Sequence, residues 1–163
     1  MLYRVKQFIW SFLDKFKPID ETFLEQYLTQ KEKDLFYKLN KAEQHHSIRV
    51  CNNALNKEYD ENIDKNKLAK IALLHDIGKG KCPLNVVDKS LLVIFDKVTK
   101  GNLKKYDNEK VKLYYYHPKY SAELLRGIDN YDNDFLEAIE EHHNKSDIDN
   151  KYCKIIMVCD YIS

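Results

Sequence analysis

The chain has very little to turn with: four glycines and three prolines in 163 residues. An all-β fold needs such punctuation at every hairpin, so this scarcity makes helix the default and predicts an all-α fold. The length suits one domain with a real core. Hydrophobic residues at 44% and charged residues at 33% argue against disorder. A formal charge of +1 gives no general pull toward a nucleic-acid duplex or an anionic membrane.

Caps and spacing place the helices. Thr29-x-x-Glu32 is a capping box opening a helix over about 30–39. A second helix covers 42–58, and Asp64 caps a third over 66–77. Residues 84–99 carry Leu84, Val87, Leu91, Ile94, Phe95 and Val98 on one face, with Gly101 just beyond the end. Pro118 marks the start of a helix and Gly127 its stop. Asp132 or Asn133 caps 134–143, and 151–162 is the last helix. The polar stretch 100–112 reads as a surface connection.

Near the N-terminus, Leu2, Val5, Phe8, Ile9, Phe12, Leu13 and Phe16 recur at helical spacing. The segment is too short and too charged to span a bilayer, so it is expected to pack on the core, and no transmembrane segment is expected. The first 40 residues are read as N-terminal helices packed on the domain 41–163, forming one globular unit. Cys51, Cys82, Cys153 and Cys159 form no C-x-x-C pair, and no signal peptide precedes them, which suits the reducing cytoplasm.

The histidines carry the chemistry. His75 and Asp76 end a segment that is apolar nearly all round: Leu68, Ala69, Ile71, Ala72, Leu73, Leu74 and Ile77. Burying a carboxylate and an imidazole there is costly without a compensating partner. Helix neighbours diverge by about 100°, so two of them meet one object only at a helix end, here released by Gly78. A bound cation satisfies both conditions. A capping arrangement suits Lys79 but leaves Asp76 where the helix dipole disfavours it.

His46 shares a column with Ala42, Val50 and Ala54, facing inward, whereas His45 lies with Lys41 and Arg49 on a more solvated face. An inward histidine is either a satisfied core residue or a ligand. Asp160 is the one charge in the apolar run KIIMVCDYI, paired either with a base from another helix or with a cation. His117 stands before Pro118. His142 and His143 follow the stripe Phe135, Leu136 and Ile139.

In order, His46, His75–Asp76 and Asp160 form the set H…HD…D. The chain therefore resembles the HD-domain superfamily of metal-dependent phosphohydrolases, and HDIGK at 75–79 looks like its HDIG subgroup. HSIRV at 46–50, HPKYSAELL at 117–125, the His142–His143 pair and the closing CDYIS extend the resemblance over about 42–163. It implies a helical bundle of about seven to eight helices. It implies one or two divalent transition metal ions (Mn, Fe, Co, Ni or Zn) held by His46, His75, Asp76 and Asp160. In two-metal relatives Asp76 bridges, His117 and His142 take the second ion, and His143 assists. Lys79 matches a lysine that meets a substrate phosphate, and Arg49 is a candidate for orienting the substrate.

The expected substrate is a small-molecule phosphoester or nucleotide. The stretch HHNKSDIDN lacks the H-H-E-x-x-D-G-x-G-Y-P pattern of cyclic-di-GMP phosphodiesterases, which disfavours that substrate. The lysines of the insert-like region 80–116 read as a solvated face. Two further readings keep the site: a di-iron oxygenase, and a regulatory or ligand-binding module whose metal is structural.

Overall fold

A computed structural model describes residues 17–59, 62–81, 86–144 and 148–163, with the side chains of 86–90 outside the description. The N-terminal apolar spacing lies before the described residues. Among the described residues eight α-helices follow in order: α1 Glu21–Tyr27, α2 Gln30–Phe36, α3 Lys41–Leu55, α4 Lys65–Leu74, α5 Val86–Val98, α6 Glu109–Arg126, α7 Asn133–Glu140 and α8 Lys151–Ile162. Short 3-10 turns occupy Ile77–Lys81 and Asn102–Lys105. Among the described residues there is no strand, so the fold is all-α. No described helix is long and apolar enough to cross a membrane.

The helices begin where side chains can take over the unpaired N–H groups of a first turn. Thr29 accepts from Glu32 N while the Glu32 carboxylate accepts from Thr29 N, a complete capping box. Asn40, Asp64, Asn108, Asp132 and Asn150 cap α3, α4, α6, α7 and α8 with their side-chain oxygens. Gly101, at φ 82°, turns the chain after α5 in the left-handed region that suits glycine.

Helix α4 is the hub. Leu68, Ala69, Ile71, Ala72, Leu73 and Leu74 are all buried, and α3, α7 and α8 pack around it. Leu24, Leu28, Leu35 and Phe36 from α1, α2 and the link after α1 join the same core. Each fully buried Leu or Ile contributes about 1.5–3 kcal/mol by leaving water, so this hub is the least deformable place to mount a site.

Several expectations are corrected. The helices read as 30–39 and 42–58 end at Phe36 and Leu55. Helix α4 stops at Leu74, with His75 as its C-cap, instead of running to 77. Helix α6 begins at Glu109, so Pro118 lies inside it and 109–112 are helix; Asn108 supplies the cap, and Val111 and Leu113 bury the first turns. The described part of the stripe on α5 does not face the core: Leu91, Ile94, Phe95 and Val98 are exposed, and Leu84 and the Val87 side chain lie outside the described residues. Instead Leu92 is buried with Leu103, Val111 and Leu113 in a small second cluster, because α5 rests on α6 and the loop after it.

Candidate metal centre

Four helices deliver the histidines and carboxylates to one place. His46 comes from α3, His75 and Asp76 from the end of α4, His117 from α6, and Asp160 from α8. His142 and His143 come from the turn after α7, which ends at Glu140 and not at 143. Both adjacent pairs, His75–Asp76 and His142–His143, thus sit just past a helix C-terminus, where neighbouring side chains can converge. Rings 142 and 143 lie only 4.1 Å apart between centroids.

The α4 turn is pressed against α6. A Cβ on Gly78 would fall 2.3 Å from the His117 carbonyl oxygen and 2.7 Å from Ser121 N, so only glycine allows this approach. Gly78 N donates to Ser121 Oγ at 2.8 Å, and that hydroxyl donates to the His117 carbonyl at 2.9 Å. The turn carrying Asp76 and the helix carrying His117 are therefore tied directly together.

Asp76 is the centre, with a side chain only 1% exposed. Its Oδ1 lies 3.1 Å from His117 Nε2 and 3.7 Å from His142 Nε2. Its Oδ2 lies 3.4 Å from His75 Nε2 and 4.0 Å from His46 Nε2. Asp160 Oδ1 closes the second side, 2.8 Å from His46 Nε2 and 3.8 Å from His75 Nε2. His143 Nδ1 stands 3.7 Å from Asp160 Oδ2.

The other ring nitrogens decide what these approaches mean. Nδ1 of His75 faces the Ala72 carbonyl at 2.8 Å, and Nδ1 of His142 faces the Ile139 carbonyl at 2.7 Å. Nδ1 of His117 lies 3.2 Å from both the Leu113 and Tyr114 carbonyls. Pro118 has no N–H to send back to the Tyr114 carbonyl, four residues earlier, so a proline inside a helix helps orient a histidine. A carbonyl only accepts, so each Nδ1 carries a proton, and Nε2 is the ring atom turned toward the carboxylates.

His75 Nε2, His117 Nε2, His142 Nε2 and Asp76 Oδ1 are buried without a hydrogen-bond partner, and even the 3.1 Å approach of His117 lacks hydrogen-bond alignment. Burial opposes charge on Asp76, yet the adjacent His75 and Lys79 hold its carboxyl well below the usual range. Burial, aided by the Lys79 charge, pushes His117 down to about 4. Burial opposes charge on His75 too, but Asp76 and Asp160 outweigh it and raise its pKa. The set calls for positive charge. Bound cations would satisfy these atoms, and the donors form three groups with ligand atoms within 4.8 Å: Asp76, His117, His142 and His143; His46, His75 and Asp76; and His75, His142 and Asp160.

A family model described as HD domain matches residues 44–163. The chain belongs to the HD domain family. No curated protein and no solved structure matches it. HD domains are commonly metal-dependent phosphohydrolases, and the buried His/Asp cluster of this HD domain is consistent with divalent metal binding.

The remaining candidates stand at the edge. Lys79 Nζ contacts Asp76 Oδ2 at 2.5 Å and Glu43 Oε2 at 3.5 Å. Arg49 is half-buried three residues along α3 from His46. His45 Nε2 faces the Lys17 carbonyl at 3.2 Å, away from the cluster. Glu43 was missed by sequence reasoning, although a signal existed: it precedes His46 by three residues, on the same helix face. Lys97, Lys100, Lys104, Lys105, Lys110 and Lys112 are exposed.

Proposed function

We propose that this HD domain is a metal-dependent phosphohydrolase of the HDIG type, acting on a nucleotide or another small-molecule phosphoester. The observation that carries the reading is the group of four buried, unpartnered donor atoms around Asp76. On this reading His46, His75, Asp76 and Asp160 hold one ion, and Asp76, His117 and His142 hold a second with His143 beside it. Neutral imidazole and carboxylate without thiolate suit Mn, Fe, Co, Ni or Zn. A bound ion of this kind lowers the pKa of a water and polarises a phosphoryl oxygen.

The chain's own groups do the rest. His75, Asp76 and His142 form the floor with side chains at most 1% exposed, and His117 beside them is nearly as buried. His46, Asp160, Lys79 and His143 are 17%, 18%, 21% and 48% exposed, and so define the side open to a substrate. The Lys79 ammonium offers charge to a phosphoryl oxygen as negative charge builds there, and Arg49 steers the rest of the molecule. Free, buried Cys51, Cys153 and Cys159 fit the cytoplasmic setting that belongs to this reading.

Metal analysis of anaerobically prepared protein, followed by phosphate release from a panel of nucleotides and phosphodiesters, tests the proposal. About one to two equivalents of transition metal and oxygen-independent phosphate release are expected. Oxygen consumption without phosphate release replaces hydrolysis with oxidation, and metal-free protein indifferent to added Mn or Fe removes the site.

A further inference from the structure

Glu43 is a carboxylate that nothing in the metal set accounts for. It sits in the first turn of α3 behind the Asn40 cap, with Glu43 N donating to Asn40 Oδ1 at 3.0 Å. Its side chain is only 4% exposed, a costly place for a charge that serves no purpose. Its Oε2 lies 3.5 Å from Lys79 Nζ, which also stands 2.5 Å from Asp76 Oδ2. One ammonium is thus shared by two buried carboxylates from different helices.

The backbone under Lys79 has little room to move. Lys79 N donates to the Asp76 carbonyl at 2.9 Å, and a Cβ on Gly80 would fall 2.9 Å from Lys38 Cβ. The 3-10 turn is held between α6 and the segment before α3, so only the Lys79 side chain can choose its partner. The oxygen it occupies, Asp76 Oδ2, is the one that faces His75 and His46. A cation bound there competes with the ammonium for the same lone pairs and repels it.

We infer that Glu43 is a positioning residue: its buried carboxylate draws the Lys79 ammonium away from Asp76 Oδ2, which frees that oxygen for a metal ion and keeps the lysine beside the site. Glu43 holds no metal in this scheme. It gives Lys79 somewhere to stand when the ion arrives, so the lysine remains at the entrance. The inference rests on the metal centre proposed above.

A double-mutant cycle read as Mn2+ affinity, by calorimetry or by the loss of the free-ion resonance signal, tests it without any substrate. Glu43→Gln weakens Mn2+ binding about tenfold, because the ammonium then stays on Asp76. Lys79→Met tightens binding, and adding Glu43→Gln to Lys79→Met produces no further weakening. Glu43→Asp, which withdraws the carboxylate by one methylene, moves affinity in the same direction by less and stands in if the Gln variant fails to fold. An equal loss from Glu43→Gln with and without Lys79 overturns the inference, since Glu43 then acts by its own charge or by packing. Unchanged affinity in Glu43→Gln overturns it too. Wild-type protein that takes up no Mn2+ removes the metal centre, and this inference with it, whereas wild-type binding with an additive cycle leaves the centre standing.

Discussion

Glu32 and Asp76 are equally hidden, each with a side chain 1% exposed, yet their surroundings are opposites. Glu32 is met by donors throughout. Lys70 Nζ reaches both oxygens at 2.9 and 3.1 Å, Tyr131 Oη donates to Oε1 at 2.9 Å, and Thr29 N donates to Oε2 at 2.6 Å. Asp76 is met by Lys79 on one oxygen and, on the other, by imidazole Nε2 atoms that make no hydrogen bond to it. The first carboxylate is finished and fastens α2 to α4 and to the loop before α7. The second is unfinished. Burial of charge does not by itself point to a functional site; burial without satisfaction calls for a further partner.

Replacing Asp76 tests the contrast most severely. Asp76→Ala is expected to abolish both metal retention and phosphatase activity while circular dichroism still reports a helical fold; metal analysis and phosphate release check it, and surviving activity places the chemistry elsewhere. Glu32→Gln is expected to do the reverse. It costs about 2–3 kcal/mol of stability in urea unfolding by leaving Lys70 without its anion, while metal content is unchanged.

That second variant also has a pH signature. Burial would raise the Glu32 carboxyl, but Lys70, Thr29 and Tyr131 hold it below its ordinary value of 4.5. A depressed carboxyl stabilises the fold above its unfolded pKa and loses that contribution as pH falls through the folded value. The wild type should therefore lose stability faster than Glu32→Gln as pH drops below about 4.5, as thermal melts across that range would show. A parallel pair of melting curves breaks the account.

The same contrast recurs in miniature on α3. His46→Ala removes a nitrogen aimed at Asp160 and should weaken Mn2+ binding about tenfold or more in calorimetry. His45→Ala removes a ring already facing a backbone carbonyl and should change stability by about 0.5 kcal/mol or less, with metal affinity intact. The opposite ranking would reverse the assigned face of that helix.

Much of this is legible in the amino-acid sequence. The column through Ala42, His46, Val50 and Ala54 identifies the inward face of α3, because a four-residue step keeps side chains on one side of a helix. Thr29, Asp64 and Asp132 mark helix starts through capping chemistry that is local in sequence. Pro118 misleads, since proline prefers the first turn of a helix, and the polar run before it hides the burial of Val111 and Leu113. The α5 stripe misleads for the opposite reason: periodicity reports an apolar face but not which neighbour, if any, covers it. Sequence spacing places Glu43 on the His46 face but does not pair it with Lys79, 36 residues away, nor Ser121 with Gly78, 43 residues away.

Asp76 has one oxygen turned to His117 and His142 and the other to His75 and His46. Each imidazole belongs chiefly to one half of that arrangement, so its loss leaves the other half standing. Position 76 has no such redundancy. On the proposed reading of the metal centre, a lineage carrying this chain has several ways to weaken the centre by degrees, but a one-letter change in a single codon is expected to silence it outright.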